Sequence, residues 1–308
     1  MIAAFPARRR AGRSAIIVAP MAQIRELKKR MVAVRTIQRI TKTMQMIATA
    51  KFTAALARAK ATRPYTDRIR GLVGEVAAAA GDDFSHPLMK APSTPARREL
   101  VLVISSDRGL CGAYNGNVLR KAGLAIRGLK GSGKDVAIET VGKKAVAYFR
   151  FAKLDVAEKH TFGDKPQFAQ VEALAKRLMA DFSAGKFDAV HVVYMRFVSN
   201  AKQVPESMQL LPLAAPAASG GASSNYEFSP SGPELLNDLL PKSVIVSLFQ
   251  AFNDAAVSEH VMRMVSMKAA TDNAAGLGRT IRRNFNRARQ ARITTELTEI
   301  VSGAAALE

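Results

Sequence analysis

Apolar residues near the start of the chain recur every three or four positions, which is the period of one face of an α-helix. The pattern begins at Met21 and meets its first proline at Pro64. At 1.5 Å per residue, an unbroken helix of this length spans about 65 Å and should form a coiled coil or a projecting rod. The apolar positions are Ile24, Leu27, Met31, Val34, Ile37, Ile40, Met44 and Ile47.

A second long helical pattern fills the end of the sequence. Apolar residues keep helical spacing from Val244 to Leu307 without a proline, and predict a helix of about 95 Å. Gly276 and Gly278 each cost about 1 kcal/mol of helix propensity relative to Ala; they either permit close approach of a partner helix or mark a weak point. The two terminal helices can bury both apolar stripes by packing against each other as a long antiparallel coiled coil.

The middle of the chain has a different pattern, in which short apolar runs typical of buried strands alternate with amphipathic helices. This alternation predicts a mostly parallel sheet covered on both faces, so the expected fold class is a Rossmann-like α/β domain plus the coiled coil. The predicted strands are 100–105, 136–141, 189–197 and 204–213, and the predicted helices are 113–129, 143–151 and 167–184.

These patterns divide the chain into an extension, an N-terminal shaft helix, a central α/β domain, a linker loop and a C-terminal shaft helix. The extension is expected to be disordered, and its four arginines without an acid fit either a mitochondrial transit peptide or a start assigned too early. The linker is rich in Ala, Ser, Gly and Pro. The corresponding boundaries are 1–20, 21–80, 81–213, 214–241 and 242–308.

The charge of the chain is strongly basic and unevenly spread. Lys and Arg number 46 against 25 acidic residues, which gives a net charge of +21. Residues up to Glu75 hold 17 basic and three acidic side chains. Such an arm favours an acidic partner, whether nucleic acid, an anionic membrane surface or a protein. Phe52 is the single aromatic residue from Met21 to Arg63, which disfavours base stacking, but a nucleic-acid-binding coiled coil remains the alternative.

Candidate catalytic chemistry is sparse. Gly128–Asp135 matches a phosphate-binding loop except at its last position, and it follows a predicted helix instead of a strand, so we interpret it as a basic turn. Cys111 is the only cysteine and has no histidine near it in sequence. His191 lies in an apolar strand and is interpreted as a core residue. With no metal-ligand spacing, we expect no catalysis by this chain alone, no cofactor and no metal.

Three segments of the chain carry a specific resemblance to one family. They are IRELKKRMVAVRTIQRITKTMQMIATAKF from Ile24, SSDRGLCGAYN from Ser105, and the pair SEHVMRMVSMKAATDNA and ARQARITTELTEIVSGAAAL from Ser258 and Ala288. In this order and spacing they resemble the γ subunit of F-type ATP synthases, from Met21 to Leu307.

The resemblance implies a non-catalytic rotor. The central-stalk γ subunit turns inside a ring of three α and three β subunits and couples transmembrane proton flow to ATP synthesis at the β subunits. The other implied partners are the ε and δ subunits and the c-ring, with no nucleic acid. The implied location is the cytoplasmic face of the bacterial inner membrane, or alternatively the matrix side of the mitochondrial inner membrane.

The resemblance also implies contact residues, each of which has a simpler reading as a packed or solvated side chain. Those expected to touch the α/β ring are Arg39, Lys42, Met44, Arg263, Gln290, Thr294 and Glu296. In the family the β subunits present an acidic loop to the positions of Arg39, Lys42 and Met44. The chain departs from the family where IRRNFNRARQ, from Ile281, is unusually basic, and at Gly278, where a larger apolar residue is common.

Overall fold

The structure is a computed structural model that describes residues 20–80, 86–89, 97–213 and 232–306. Its contacts divide the chain into two compact units. The shaft unit consists of Met1–Lys42 with Ala269–Glu308, and the sheet unit is Thr43–Lys268. The predicted disordered extension, apart from Pro20, and most of the predicted linker lie outside the described residues.

The elements of the structure confirm the predicted fold class, with long helices at both ends and a sheet between them. The five-stranded sheet has the order β3-β2-β1-β4-β5, in which only the pairing of β4 with β5 is antiparallel. In chain order the elements are α1 (Pro20–Ala80), β1 (Arg98–Ile104), α2 (Tyr114–Gly131), β2 (Asp135–Val141), α3 (Lys143–Phe151), β3 (Glu158–His160), α4 (Phe168–Ser183), β4 (Ala189–Phe197), β5 (Gln203–Leu211) and α5 (Gly232–Ala305).

Strand β1 lies at the centre of the sheet and is buried on both faces. Successive side chains of a strand point to opposite faces, so Val101 and Val103 face one core while Leu100 and Leu102 face another. The first core contains buried side chains of α2 and α3. The second contains α4 and the parts of α1 and α5 that belong to the sheet unit. This double burial explains why β1 reads as an almost continuous apolar run.

Helix α5 begins at Gly232, ten residues before the start predicted from the sequence. The prediction ended the linker at Pro241, the last proline of the chain. A proline inside a helix lacks an N–H group and costs about 3 kcal/mol. Leu236, Leu239 and Leu240 are buried in the core of the sheet unit. Burial of three leucines, at about 1.5–3 kcal/mol each, outweighs that cost.

Helix α5 also contains the only described segment that is long and apolar enough to cross a membrane. Its most apolar window has a mean hydropathy of 1.2, and 61% of that window is buried inside the protein. Burial of this extent is typical of a core helix, which agrees with the packing of α5 against the sheet.

In the shaft unit, α1 and α5 run antiparallel. Thr41 and Thr271 are joined by a hydrogen bond of 2.9 Å between their hydroxyl oxygens. Seven residues earlier in α1, Val34 faces Gly278, which comes seven residues later in α5. A Cβ atom added at Gly278 would lie 3.7 Å from Val34, an ordinary contact distance. The helices therefore do not require glycine at this position.

Candidate functional site

The loop between β1 and α2 holds the conspicuous SSDRGLCGAYN segment. The Asn115 side chain braces this loop from within, because its amide nitrogen donates to Ser106 Oγ at 2.8 Å and to Cys111 Sγ at 3.2 Å. Gly112 has a φ of +57°. A Cβ atom at Gly112 would approach Ser266 Oγ of α5 to 2.6 Å, and the positive φ itself favours glycine at this position.

Arg263 of α5 fixes the same loop from outside. Its guanidinium forms an ion pair of 2.6 Å with Glu259 and donates to the carbonyl oxygens of Gly109 at 3.3 Å and Arg108 at 3.4 Å. The residue is only 9% exposed. The resemblance assigned Arg263 to a contact with the ring, but its guanidinium forms these hydrogen bonds within its own chain.

A mostly apolar cavity of about 340 Å³ lies beside this loop. Its walls come from α1, the β1–α2 loop, the segment before α4 and α5. The exposed side chains of Ile47 and Leu110 contribute apolar surface to it. Two of the predicted contact residues, Met44 and Arg263, meet here. The full lining is Met44, Ile47, Ala48, Lys51, Arg108, Gly109, Leu110, Asp164, His260 and Arg263.

Charged groups around this cavity carry shifted pKa values. A hydrogen bond from Lys51 lowers the pKa of Asp164 against the opposing effect of burial. Burial, reinforced by Arg263, lowers the pKa of His260 to about 4, so this imidazole is neutral at pH 7. Burial raises the pKa of Glu259, although Arg263 opposes the shift. Most of the surface that lines the cavity is therefore apolar. The nearby carboxylates each lie beside a cation, Asp164 beside Lys51 and Glu259 beside Arg263.

The other predicted contact residues lie on exposed faces of the shaft unit. Arg39 and Lys42 are exposed on α1. On α5, the exposed Thr294 donates through Oγ1 to the carbonyl oxygen of Gln290 at 3.1 Å, and Glu296 pairs with Arg292 at 2.6 Å. These contacts within one helix leave the side-chain amide of Gln290 and much of Glu296 open to solvent.

Two buried glutamates on neighbouring strands escaped the sequence analysis. Glu99 on β1 contacts His191 at 2.8 Å and also pairs with Lys134. Glu139 on β2 contacts His160 at 2.9 Å and Arg177 at 2.6 Å. The only sequence signal was the presence of an acid beside the apolar residues of each strand.

The acids of β2 and β3 include the one described group with the spacing of metal ligands. The ligand atoms of Glu139, Glu158 and His160 lie within 4.8 Å of one another. Arg177 contacts both glutamates, at 2.6 Å and 3.2 Å, and already places a positive charge between them. Hydrogen bonds from His160 and Arg177 outweigh burial and lower the pKa of Glu139. We therefore interpret the cluster as an ionic clamp between the sheet and α4.

The segment that resembles a phosphate-binding loop forms the C-terminal end of α2 and the turn that follows it. The backbone N–H of Ser132 donates to the carbonyl oxygens of Gly128 and Leu129, and that of Gly133 donates to Lys130. These amides close the helix end, whereas a phosphate-binding loop presents its amides to the ligand.

The fold and these contacts define a class of protein: a scaffold in which the two terminal helices pair with each other and a loop of a central α/β domain is held against one of them. A family model described as ATP synthase matches residues 23–307. The ATP synthase gamma chain of Rhodopirellula baltica is 39% identical over 94% of this chain and all of the relative. That of Acidiphilium cryptum is 38% identical over 93% of this chain and all of the relative.

Solved structures agree on the fold. A chain in the Euglena gracilis mitochondrial ATP synthase OSCP/F1/c-ring structure aligns with a TM-score of 0.64 and 18% identity, covering 93% of this chain and 95% of the other. A second chain, from the rotor of the same enzyme, gives a TM-score of 0.60 at 18% identity, covering 89% and 99%. The chain belongs to the ATP synthase gamma chain family. It is a non-catalytic central-stalk subunit of a membrane-associated complex.

Proposed function

We propose that this chain rotates inside a ring of three α and three β subunits and couples transmembrane proton flow to ATP synthesis at the β subunits. Its further partners are the ε and δ subunits and the c-ring. Its place is the cytoplasmic face of the bacterial inner membrane. The bacterial relatives of almost equal length, named ATP synthase gamma chain, support this proposal.

The antiparallel pairing of α1 and α5 is the observation that carries the mechanism. A pair formed by two different helices has no threefold symmetry, so three identical ring subunits each meet a different face of it. A contact that favours one conformation of a ring subunit over another shifts its conformational equilibrium. Rotation then moves that bias from one subunit to the next, which is how a subunit without catalytic groups can drive catalysis elsewhere.

The predicted contact residues take two roles in this proposal. Arg39 and Lys42 present exposed positive charge to an acidic segment of the ring, and Met44 offers apolar surface beside it. Arg263 acts as a positioning residue, because its guanidinium holds the β1–α2 loop through two carbonyl oxygens.

At the far end of α5, the contacts differ in chemistry. Gln290, Thr294 and Glu296 supply polar contacts from exposed positions on that helix. Rotation would carry these groups past successive ring subunits, where hydrogen bonds of this kind are easily exchanged for water.

Reconstitution tests the proposal directly. Purified α and β subunits are mixed with or without this chain, and complex formation and ATP hydrolysis are measured by gel filtration and by phosphate release. We expect a stable complex with sustained hydrolysis only when the chain is present, and no hydrolysis by the chain alone. Failure of the chain to join the α and β subunits or to alter their rate would rule the proposal out.

Charge-removing variants separate the contact role from folding. Lys42→Ala should weaken coupling while leaving the far-UV circular dichroism of the chain unchanged, because its side chain is exposed. Lys130→Ala on α2 is a matched control at an exposed position of the sheet unit. Equal effects of the two variants on hydrolysis would argue against a specific contact at Lys42.

A further inference from the structure

A basic groove lies on α5 within the shaft unit, and the predicted contact residues do not account for it. The groove has a volume of about 700 Å³. Arg279, Arg282 and Arg283 surround it, and Gly276 leaves open the space that a larger side chain would fill. Its complete lining is Gly276, Arg279, Thr280, Arg282, Arg283 and Asn286.

The groove faces away from α1. Ala274 and Ile281 are buried in the seam between the two helices. At about 100° of rotation per residue, Arg283 lies roughly half a turn around α5 from that seam. Its side chain is exposed, as are those of Arg279 and Arg282. Another chain can therefore reach the groove without disturbing the pair of helices.

Among the residues that the structure describes, none of these three arginines forms an ion pair, unlike Arg292 of the same helix, which pairs with Glu296. Arg279, Arg283 and Arg287 follow one another at intervals of four residues. Like charges at this spacing destabilise a helix. The described part of the shaft unit holds 13 basic and four acidic residues, so it offers few carboxylates of its own.

We propose that this groove, defined by Arg279, Arg282 and Arg283, is the docking site of a carboxylate-bearing segment of the α/β ring. The proposal rests on the proposed function, since the ring is the partner that surrounds the shaft. Guanidinium groups bind carboxylates through two parallel hydrogen bonds, and three of them around one concave surface select an acidic peptide. The segment relieves the repulsion within α5 when it binds.

Charge reversal at Arg283 tests the groove. Arg283→Glu should speed dissociation of the chain from purified α and β subunits about tenfold, because it places a carboxylate against carboxylates. The same variant should raise the melting temperature of the isolated chain, because the new acid lies four residues from both Arg279 and Arg287. Replacement of a residue with only a structural role would not weaken binding to the ring and at the same time stabilise the isolated chain.

Three further variants test the charge, the shape and the occupant of the groove. Arg127→Glu, an exposed and equally charged change on α2, should leave dissociation unchanged. Gly276→Leu should fill the groove and speed dissociation without altering charge, since a Cβ atom there meets its nearest neighbour only at 3.9 Å. In the Arg283→Lys variant, carbodiimide should couple the new amine to a ring carboxylate, and mass spectrometry locates the amide.

The outcomes distinguish the two proposals. If the wild-type chain joins the ring but Arg283→Glu dissociates as slowly as Arg127→Glu, the groove proposal is wrong and the proposed function stands. If the wild-type chain never joins the ring, both are wrong. If Arg283→Glu abolishes binding to a duplex DNA probe while ring binding is unchanged, a polyphosphate is the occupant and the groove proposal is overturned.

Discussion

Arg263 shows how one side chain can be committed to its own chain at a position that the family resemblance associates with a partner. Its ion pair with Glu259 is largely desolvated, with side-chain exposures of 11% and 14%. A pair of this kind is sensitive to loss of one partner, because the remaining charge is buried without compensation. The β1–α2 loop therefore depends on a residue more than 150 positions away in sequence.

Removal of this guanidinium should destabilise the sheet unit. We expect Arg263→Ala to lower the free energy of unfolding by about 2–4 kcal/mol, because Glu259 is left charged and buried. Urea denaturation followed by circular dichroism measures this change. Arg263→Ala/Glu259→Gln should recover part of the loss, and Arg120→Ala on α2 is an exposed control. Unchanged stability in Arg263→Ala would show that the pair is not needed by the loop.

Asp254 is a second buried charge, in the part of α5 that packs in the sheet unit. Burial raises its pKa to about 6, although a hydrogen bond from Gln250 and the charges of Arg63 and Arg196 oppose the shift. The folded protein therefore binds a proton at this carboxyl more tightly than the unfolded chain does. The stability that this proton contributes is complete below about pH 4 and is lost as the pH rises through about 6.

Replacement of Asp254 by a neutral amide should remove this dependence on pH. Asp254→Asn should match the wild type near pH 4 and exceed its free energy of unfolding by about 2–3 kcal/mol near pH 7.5, since one pKa unit corresponds to about 1.4 kcal/mol. Urea denaturation at a series of pH values measures the difference. A difference that does not change between these pH values would contradict the prediction.

At the scale of elements, the turn from β2 into α3 is a point of close backbone approach. Gly142 has a φ of +89°, a conformation that other residues rarely adopt. A Cβ atom there would lie 2.5 Å from the carbonyl oxygen of Ser105, at the end of β1. The Oγ of Ser105 accepts the backbone N–H of Ala145 at 2.9 Å, which joins the end of β1 to the start of α3.

Substitution of this glycine should disrupt the sheet at its carboxyl edge. We expect Gly142→Ala to cost about 2–4 kcal/mol, from positive φ and from a clash with backbone that cannot rotate away. Thermal denaturation measures the effect. Gly131→Ala in α2 is the control, because no atom lies within 4 Å of the added Cβ and Ala favours the helix. Equal melting temperatures for the two variants would contradict this account.

The elements also show where sequence patterns succeed. Strand β1 was predicted because a strand buried on both faces is apolar at nearly every position. Helix α4 was predicted because a helix buried on one face has apolar residues every three or four positions. Strand β3, with the sequence Glu158–His160, was missed because three polar residues carry no period. The start of α5 was misplaced because local propensity penalises Pro241, whereas the long-range packing of Leu236 and Leu240 decides the outcome.

The candidate site shows a different limit at the scale of the whole molecule. Motifs identified the β1–α2 loop and the SEHVMRM segment separately. Their meeting, through Arg263 and the carbonyl oxygens of Arg108 and Gly109, depends on tertiary structure that no local pattern records. The cavity that joins Met44 to this contact was equally invisible in sequence.

The net charge of +21 belongs to the whole molecule and should act on the rate of assembly. Long-range attraction between a basic chain and an acidic partner accelerates encounter, and salt screens it. We expect the association rate with α and β subunits to fall about tenfold between about 20 mM and about 300 mM salt. Stopped-flow mixing measures this rate. An association rate independent of salt would show that the charge has no role in encounter.

The hydrogen bond between Thr41 and Thr271 has a consequence for folding during synthesis on the ribosome. Its partners are separated by 230 positions in the chain. At about 5–20 residues per second, a ribosome needs roughly 10–50 s to synthesise the intervening sequence. During that interval the apolar stripe of Leu27, Met31 and Val34 has emerged without its α5 partner. Nascent chains arrested before residue 269 should therefore be cut by protease within residues 21–42, and full-length released chains should resist cleavage there.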